Sequence, residues 1–284
     1  MAPLGISSGL MYASWVEGGP AIQGSEYSIN FDGTDGYVDT GDTYQSTFRD
    51  SFTLACWCKF GDGQPGQLDM LFGAIHSSGQ DAIYLQNTTA GRLQLLFRAN
   101  SDSVGTLTDA AVFSDGATDW QHIAVTVTKN SSADTTVIFY VDGAAVDTTT
   151  SNALSDTNHG AYTSSADLFI GARNNTTFGG STDFFLGGLL DDFAIWDVAL
   201  DADAVEAMYN SGVPFDLTGD SGSYDNSGDL VAYYRFNEGN GTTALDTGGS
   251  NNATLVGGAT YSLSLIHISE PTRLLSISYA VFCL

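Results

Sequence analysis

Two runs decide the fold class: Ser51-Phe-Thr-Leu-Ala-Cys-Trp-Cys-Lys-Phe60 and Trp120-Gln-His-Ile-Ala-Val-Thr-Val-Thr128. The first is a continuous apolar segment of strand length, the pattern of a strand buried on both faces. The second is dense in β-branched residues, which fit a pleated surface, and its Trp120 is expected in the core along with Trp57. Working outward, Thr135–Val141 alternates and ends in Asp142-Gly143, a two-residue hairpin signal, with Ala144–Thr148 as its return strand. Further strand-like runs are Leu68–Ile75, Ala82–Leu85, Arg92–Arg98, Leu168–Ala172, Asp183–Leu186, Leu189–Trp196, Leu230–Phe236 and Ala253–Val256. At the front, Tyr27, Asn30–Phe31 and Tyr37–Val38 bracket the turn Asp32-Gly33-Thr34-Asp35-Gly36. One helix is expected over Ala202–Tyr209, with Asp201 as N-cap and Gly212 as the stop. Short strands separated by polar turns predict an all-β, two-sheet antiparallel sandwich with one short helix.

Composition agrees. The 284 residues hold 33 Gly and carry a net charge of −25. The acid is 28 Asp against 5 Glu, and the only lysines are Lys59 and Lys129. Asp favours turns and caps where Glu favours helices, so the bias itself reads as loops and strands. So acidic a surface repels phosphate backbones, which excludes nucleic acid as a partner. No segment is long and apolar enough for a membrane-spanning helix. Met1–Gly19 lacks the basic start and apolar stretch of a signal peptide. Cys56 and Cys58 lie two apart on one strand, so their side chains run parallel and read as buried apolar groups rather than a disulfide.

The chain divides into a Gly/Ser-rich arm over residues 1–24, one domain over 25–262, and a tail over 263–284. The tail has no Gly, Asp or Asn. Leu263–Arg273 resembles the translation of a transposase-type sequencing adapter, and Ile277–Leu284 resembles its distal primer. Read as adapter-derived and non-native, the tail takes His267, Glu270, Arg273 and Cys283 out of any functional argument.

Within the domain, six segments in order resemble a known family. They are Ile29–Asp39, Phe52–Lys59, Trp120–Val125 followed by Phe139-Tyr-Val-Asp-Gly143, the Leu168–Ala172 and Gly188–Trp196 strands, the Ala199–Tyr209 helix with Leu200, Glu206 and Tyr209, and Leu230–Thr254. Together they are similar to LamG-like jelly rolls, the pentraxin-like branch of the concanavalin A-like lectin/glucanase superfamily. The resemblance implies a jelly-roll sandwich, and it puts His122 at a structural position of the Trp120 strand. Glucanases of the superfamily carry Glu-x-Asp-x-x-Glu on one strand. Glu17, Glu26, Glu206 and Glu238 show no such spacing, so the chain is not expected to be an enzyme.

Calcium is the one cofactor with a case. The acidic turn offers Asp32 and Asp35 as oxygen ligands. Strict alternation gives Asp191 the inward parity of Phe193 and Ile195, and a buried lone carboxylate needs a partner. Related glucanases hold a structural calcium with an Asp aligned to Asp191. The expected site is therefore Asp32, Asp35 and Asp191; the alternative is an Asp191 satisfied by backbone N–H groups. The expected role is a binding module for a carbohydrate or cell-surface receptor, extracellular or on a virion. The alternatives are a structural spacer in a larger assembly and, last, a glycoside hydrolase.

If the tail is foreign to the domain, truncation after Ser262 leaves the melting temperature unchanged. Thermal denaturation of both forms checks this, and a loss of several degrees would contradict it.

Overall fold

The computed structural model describes residues 25–76, 78–131, 134–175 and 181–264. The arm and residues 265–284 of the tail lie outside them, whereas Leu263 pairs with Tyr27 and the Ser264 N–H donates to Glu26 O at 2.9 Å, two residues past the expected boundary at 262. In chain order the elements are β1 (Tyr27–Asp32), β2 (Tyr37–Asp39), β3 (Phe52–Phe60), β4 (Asp69–Ile75), β5 (Ala82–Asn87), β6 (Leu93–Ala99), β7 (Asp102–Thr108), β8 (Gln121–Thr128), β9 (Thr136–Val141), β10 (Ala144–Val146) and β11 (Thr148–Ser151). Then come a one-turn helix α1 (Asp156–His159), β12 (Phe169–Ile170), β13 (Gly187–Trp196), α2 (Ala202–Tyr209), β14 (Leu230–Tyr234), β15 (Thr243–Ala244), β16 (Ala253–Val256) and β17 (Thr260–Leu263).

These strands pair into two antiparallel sheets, as the sandwich reading requires. The first runs β10-β9-β8-β3-β13-β1-β17, with β14 also on β13; the second runs β11-β7-β6-β5-β4-β12-β2-β16-β15. Their inner faces supply a core that includes Phe31, Phe52, Leu54, Cys56, Cys58, Phe72, Phe97, Ile123, Val125, Phe139, Phe193 and Ile195. Both cysteines are free and buried, and burial pushes their thiols far above the ordinary range.

The outer face of the first sheet is covered by α2. The pairing aligns Tyr140, Ala124, Ala55, Ala194 and Tyr233 in one cross-strand row. Three alanines side by side let the helix approach closely, and Ala204, Val205 and Met208 pack on that row. Asp201 caps the helix by accepting from the Ala204 N–H at 2.8 Å. Its end differs from expectation: Asn210, not Gly212, is the left-handed C-cap, with φ 45°. Asn is the side chain other than Gly that most readily adopts that conformation.

Three other expectations are corrected, and a strand is added. β7 was not legible, because Asp102, Ser103 and Gly105 dilute its apolar pattern. The return strand Ala144–Thr148 breaks at Asp147: β10 stays on β9, and β11 crosses to β7 in the other sheet. Asp183–Leu186 is not a strand, and only Asp183 bridges to Arg173. Trp120 precedes β8 and is half-buried rather than a core residue.

The largest correction is on β13. Opposite β3, Asp191 pairs with Trp57 but Ala194 pairs with Ala55, so three steps on one strand answer two on the other. This is a β-bulge, and Asp192 sits in it with φ 48°. The extra residue inverts the alternation. Leu190, Phe193 and Ile195 face the inter-sheet core, while Asp191 shares the outer face with Trp57.

Trp196 is fully buried in the outer cluster, and its indole N–H donates to the Tyr224 hydroxyl at 3.1 Å. Trp196→Ala should therefore cost about 3–5 kcal/mol, and Trp120→Ala less than half of that. Urea denaturation of both variants checks the order, and a costlier Trp120→Ala would contradict the packing described.

Candidate functional site

At one end of the sandwich, the turn after β1, the β3–β4 connection and the segment leading into β13 enclose an open cleft of about 780 Å³. Its frame is backbone held by backbone. The Gly33 N–H donates to Leu186 O at 2.9 Å, and the Gly61 N–H donates to Gly187 O at 2.7 Å. Side chains are excluded where the chains approach most closely: a Cβ on Gly188, at φ 152°, would stand 2.3 Å from Lys59 O.

Asp69 opens β4, lines the cleft and is 7% exposed. Its Oδ1 accepts the Gly187 N–H at 3.2 Å. Burial pushes its pKa up to about 7, against the opposing pull of that N–H, and Asp62 adds a smaller upward push. Near neutrality this carboxyl can therefore accept or donate a hydrogen bond.

The lining residues Asp183 and Phe184 are held from behind by Arg173, which does not itself line the cleft. Its backbone exchanges two hydrogen bonds with Asp183, at 2.9 and 3.2 Å. Its guanidinium forks onto the same residue, Nε to Oδ1 at 2.8 Å and Nη2 to Oδ2 at 2.9 Å. The guanidinium carbon also lies over two aromatic rings, 4.5 Å from the Phe184 centroid and 5.5 Å from that of Tyr84. Gly73 leaves room for this: a Cβ there would come within 3.0 Å of Tyr84 and 3.1 Å of Arg173. Phe184 holds φ at 55°, a left-handed conformation that a bulky side chain adopts only when its surroundings impose it. Phe184 is part-exposed and lines the cleft along with Asp183 and Phe185. On the same sheet face Phe169, opposite Gly73, stacks on Tyr37 at 4.4 Å.

The residues expected to bind calcium are not brought together. Asp32 Oδ1 accepts N–H groups from Thr34, Asp35 and Gly36 at 2.9–3.1 Å, which hold its pKa down. Asp35 Oδ1 accepts from the Gly258 N–H at 2.7 Å. Both turn carboxylates thus serve the backbone. Asp32 pairs across with Gly187, four positions before Asp191, which is about 13 Å at the strand rise. Among the described residues no group of three or more His, Cys, Asp or Glu gathers to hold a metal. A calcium shared by Asp32, Asp35 and Asp191 therefore does not fit.

Asp191 itself is fully buried. Its Oδ1 accepts the Asp192 N–H at 2.9 Å, while its Oδ2 has no hydrogen-bond partner. Burial first, then the neighbouring Asp192, pushes its pKa well up, although the nearby Ser25 and Ser264 hydroxyls favour the ionised form. Asp192 accepts from the Tyr233 hydroxyl at 2.6 Å and faces Arg235 at 4.0 Å. Burial also raises its pKa. His122 packs against Trp57 at 5.2 Å, and burial lowers its pKa to about 4, so it is neutral. That is the packing role expected of it.

A second open cleft, of about 580 Å³, lies between the Asp142-Gly143 hairpin and the end of α2, lined by Asp142, Glu206 and Tyr209 among others. Sequence reasoning missed the first cleft altogether. Asp69, Tyr84, Arg173 and Phe184 are scattered over more than a hundred positions and share no periodic signal. The strained Phe184 lies in a segment read as strand.

Among solved structures, a Bacteroides ovatus protein described as carbohydrate binding superposes with a TM-score of 0.56 at 15% identity, over 84% of this chain and 60% of its own. This chain thus spans 60% of that protein's length. A heptameric SAP-like pentraxin from Limulus polyphemus gives 0.52 at 14% identity, over 87% of this chain and 99% of its own. A Ruminococcus gnavus IT-sialidase CBM40 gives 0.48 at 15% identity, over 67% and 100%. At these identities the likeness is one of fold. Comparison with curated protein sequences finds no match. No helix among the described residues is long and apolar enough to cross a membrane. A family model described as the concanavalin A-like lectin/glucanases superfamily, laminin G type, matches residues 32–206, and the chain belongs to that family.

Proposed function

We propose that the chain is a non-catalytic glycan-binding module, working outside the cell or on the surface of a particle, with the Asp69–Asp183 cleft as its binding site. The observation that carries this is the preset wall of Asp183 and Phe184, backed by Arg173, beside the buried Asp69. Sugars present hydroxyls and an apolar C–H face. Carboxylates and amides bind the first, and an aromatic ring already fixed in orientation stacks on the second with little loss of conformational freedom. Thr34, Gln67 and Thr182 add hydroxyl and amide partners to the lining.

Hydrolysis is the weaker reading of the same cleft. Glycoside cleavage needs two carboxyl groups free to act on opposite sides of the bond. Both oxygens of Asp183 are held by Arg173, which leaves Asp69 without a working partner in the lining.

A glycan array with the full chain tests the proposal. Binding should be found, and Phe184→Ala should weaken it about tenfold or more, as truncating a central aromatic anchor does. Absence of binding across the array, or an undiminished Phe184→Ala, would count against the site.

The Asp69 carboxyl supplies a second check. Its folded pKa of about 7 exceeds its ordinary 3.8. The folded state therefore holds the proton more tightly, and this group's contribution to stability falls as pH rises between those values. Asp69→Asn should raise the melting temperature at pH about 8 and match the parent near pH 4. Equal effects at both pH values would show that Asp69 is not protonated as described.

A further inference from the structure

The charge around the cleft narrows its ligand class, an inference that rests on the glycan reading above. We propose that the cleft selects uncharged glycans and rejects acidic ones, whether sialylated, uronic or sulfated. None of the described residues lining it is Lys, Arg or His, and two are Asp. Arg173, beside Phe184, is already committed: Nε and Nη2 are forked onto Asp183, and its guanidinium carbon lies over the rings of Phe184 and Tyr84.

Recognition of a carboxylate or sulfate relies on that fork. Here Asp183 occupies the place the ligand anion would take. The other arginines of the second sheet do not line the cleft, and each is turned to a backbone carbonyl elsewhere: Arg98 donates to Gly79 O and Arg92 to Thr108 O. An acidic sugar entering the cleft would find the nearby guanidinium already neutralised by Asp183, no other cation among the described lining residues, and Asp69 adding negative charge whenever it is ionised, in a protein of net charge −25. A neutral hydroxyl has no such difficulty. It donates to an ionised Asp69 and accepts from a protonated one.

The test is an array of neutral, sialylated, uronic and sulfated oligosaccharides, read with the full chain at about 0.01 M and about 1 M salt, where the screening length falls from ~30 Å to ~3 Å. At low salt neutral glycans should bind at least about tenfold more strongly than acidic analogues, since like-charge contacts are costly. The gap should narrow at high salt. Asp183→Asn, confirmed as folded by its melting temperature, should release the guanidinium and raise acidic-glycan binding relative to neutral. Acidic glycans binding the parent chain as tightly as neutral ones would overturn the inference while leaving the glycan reading intact. So would a neutral preference indifferent to salt. Absence of binding to every glycan would instead overturn the glycan reading and this inference with it.

Discussion

Strand β13 must serve two partners on one edge, pairing with β1 through Gly187–Leu190 and with β14 through Phe193–Trp196. The bulge at Asp192 lies where the partner changes. A regular strand would carry Asp191 and Phe193 on the same face, forcing either a carboxylate into the inter-sheet core or a phenylalanine out of it. One left-handed residue resolves the conflict, and Asp tolerates that conformation better than most side chains. The cost is a pair of buried carboxyls at the junction. Their pKa values are raised, and only partial help comes from Tyr233, Arg235 and the Asp192 N–H. The alanine row beneath α2 depends on the same bulge, because it brings Ala194 into register with Ala55 and Ala124.

At the cleft, the design is one of pre-commitment. Arg173 is oriented by four contacts of different kinds: backbone pairing, a bidentate ion pair and two aromatic faces. A part-exposed ion pair contributes little to stability. Its effect here is geometric, since it fixes the guanidinium beside the ring of Phe184, a residue that lines the cleft. On the proposed reading, that same commitment removes the cation an acidic ligand would seek, so orientation and selectivity would come from one interaction.

Much of the fold is local enough to be read from the chain. The apolar run Phe52–Phe60, the β-branched Gln121–Thr128, the Asp142-Gly143 turn and the Asp201 cap each rest on neighbours within a few residues. All appear where expected: Asp142 and Gly143 both hold positive φ, as the two-residue hairpin requires. The same local reasoning misplaced what depends on distant partners. Trp120 looked like core by residue type, but packing leaves it half-buried. Ala144–Thr148 looked like one strand, but its two ends pair in different sheets.

The sequence alone therefore determined the β class, most of the strands, the helix and the acidic character, because periodicity and turn chemistry act over a few residues. Tertiary structure decided which carboxyls meet what. It placed Asp191 on the outer face, separated it from Asp32 and Asp35, and joined Asp69, Asp183 and Phe184 at one cleft with Arg173 behind them. Those outcomes follow from strand register and a single inserted residue, which are set by pairing between segments far apart in the chain.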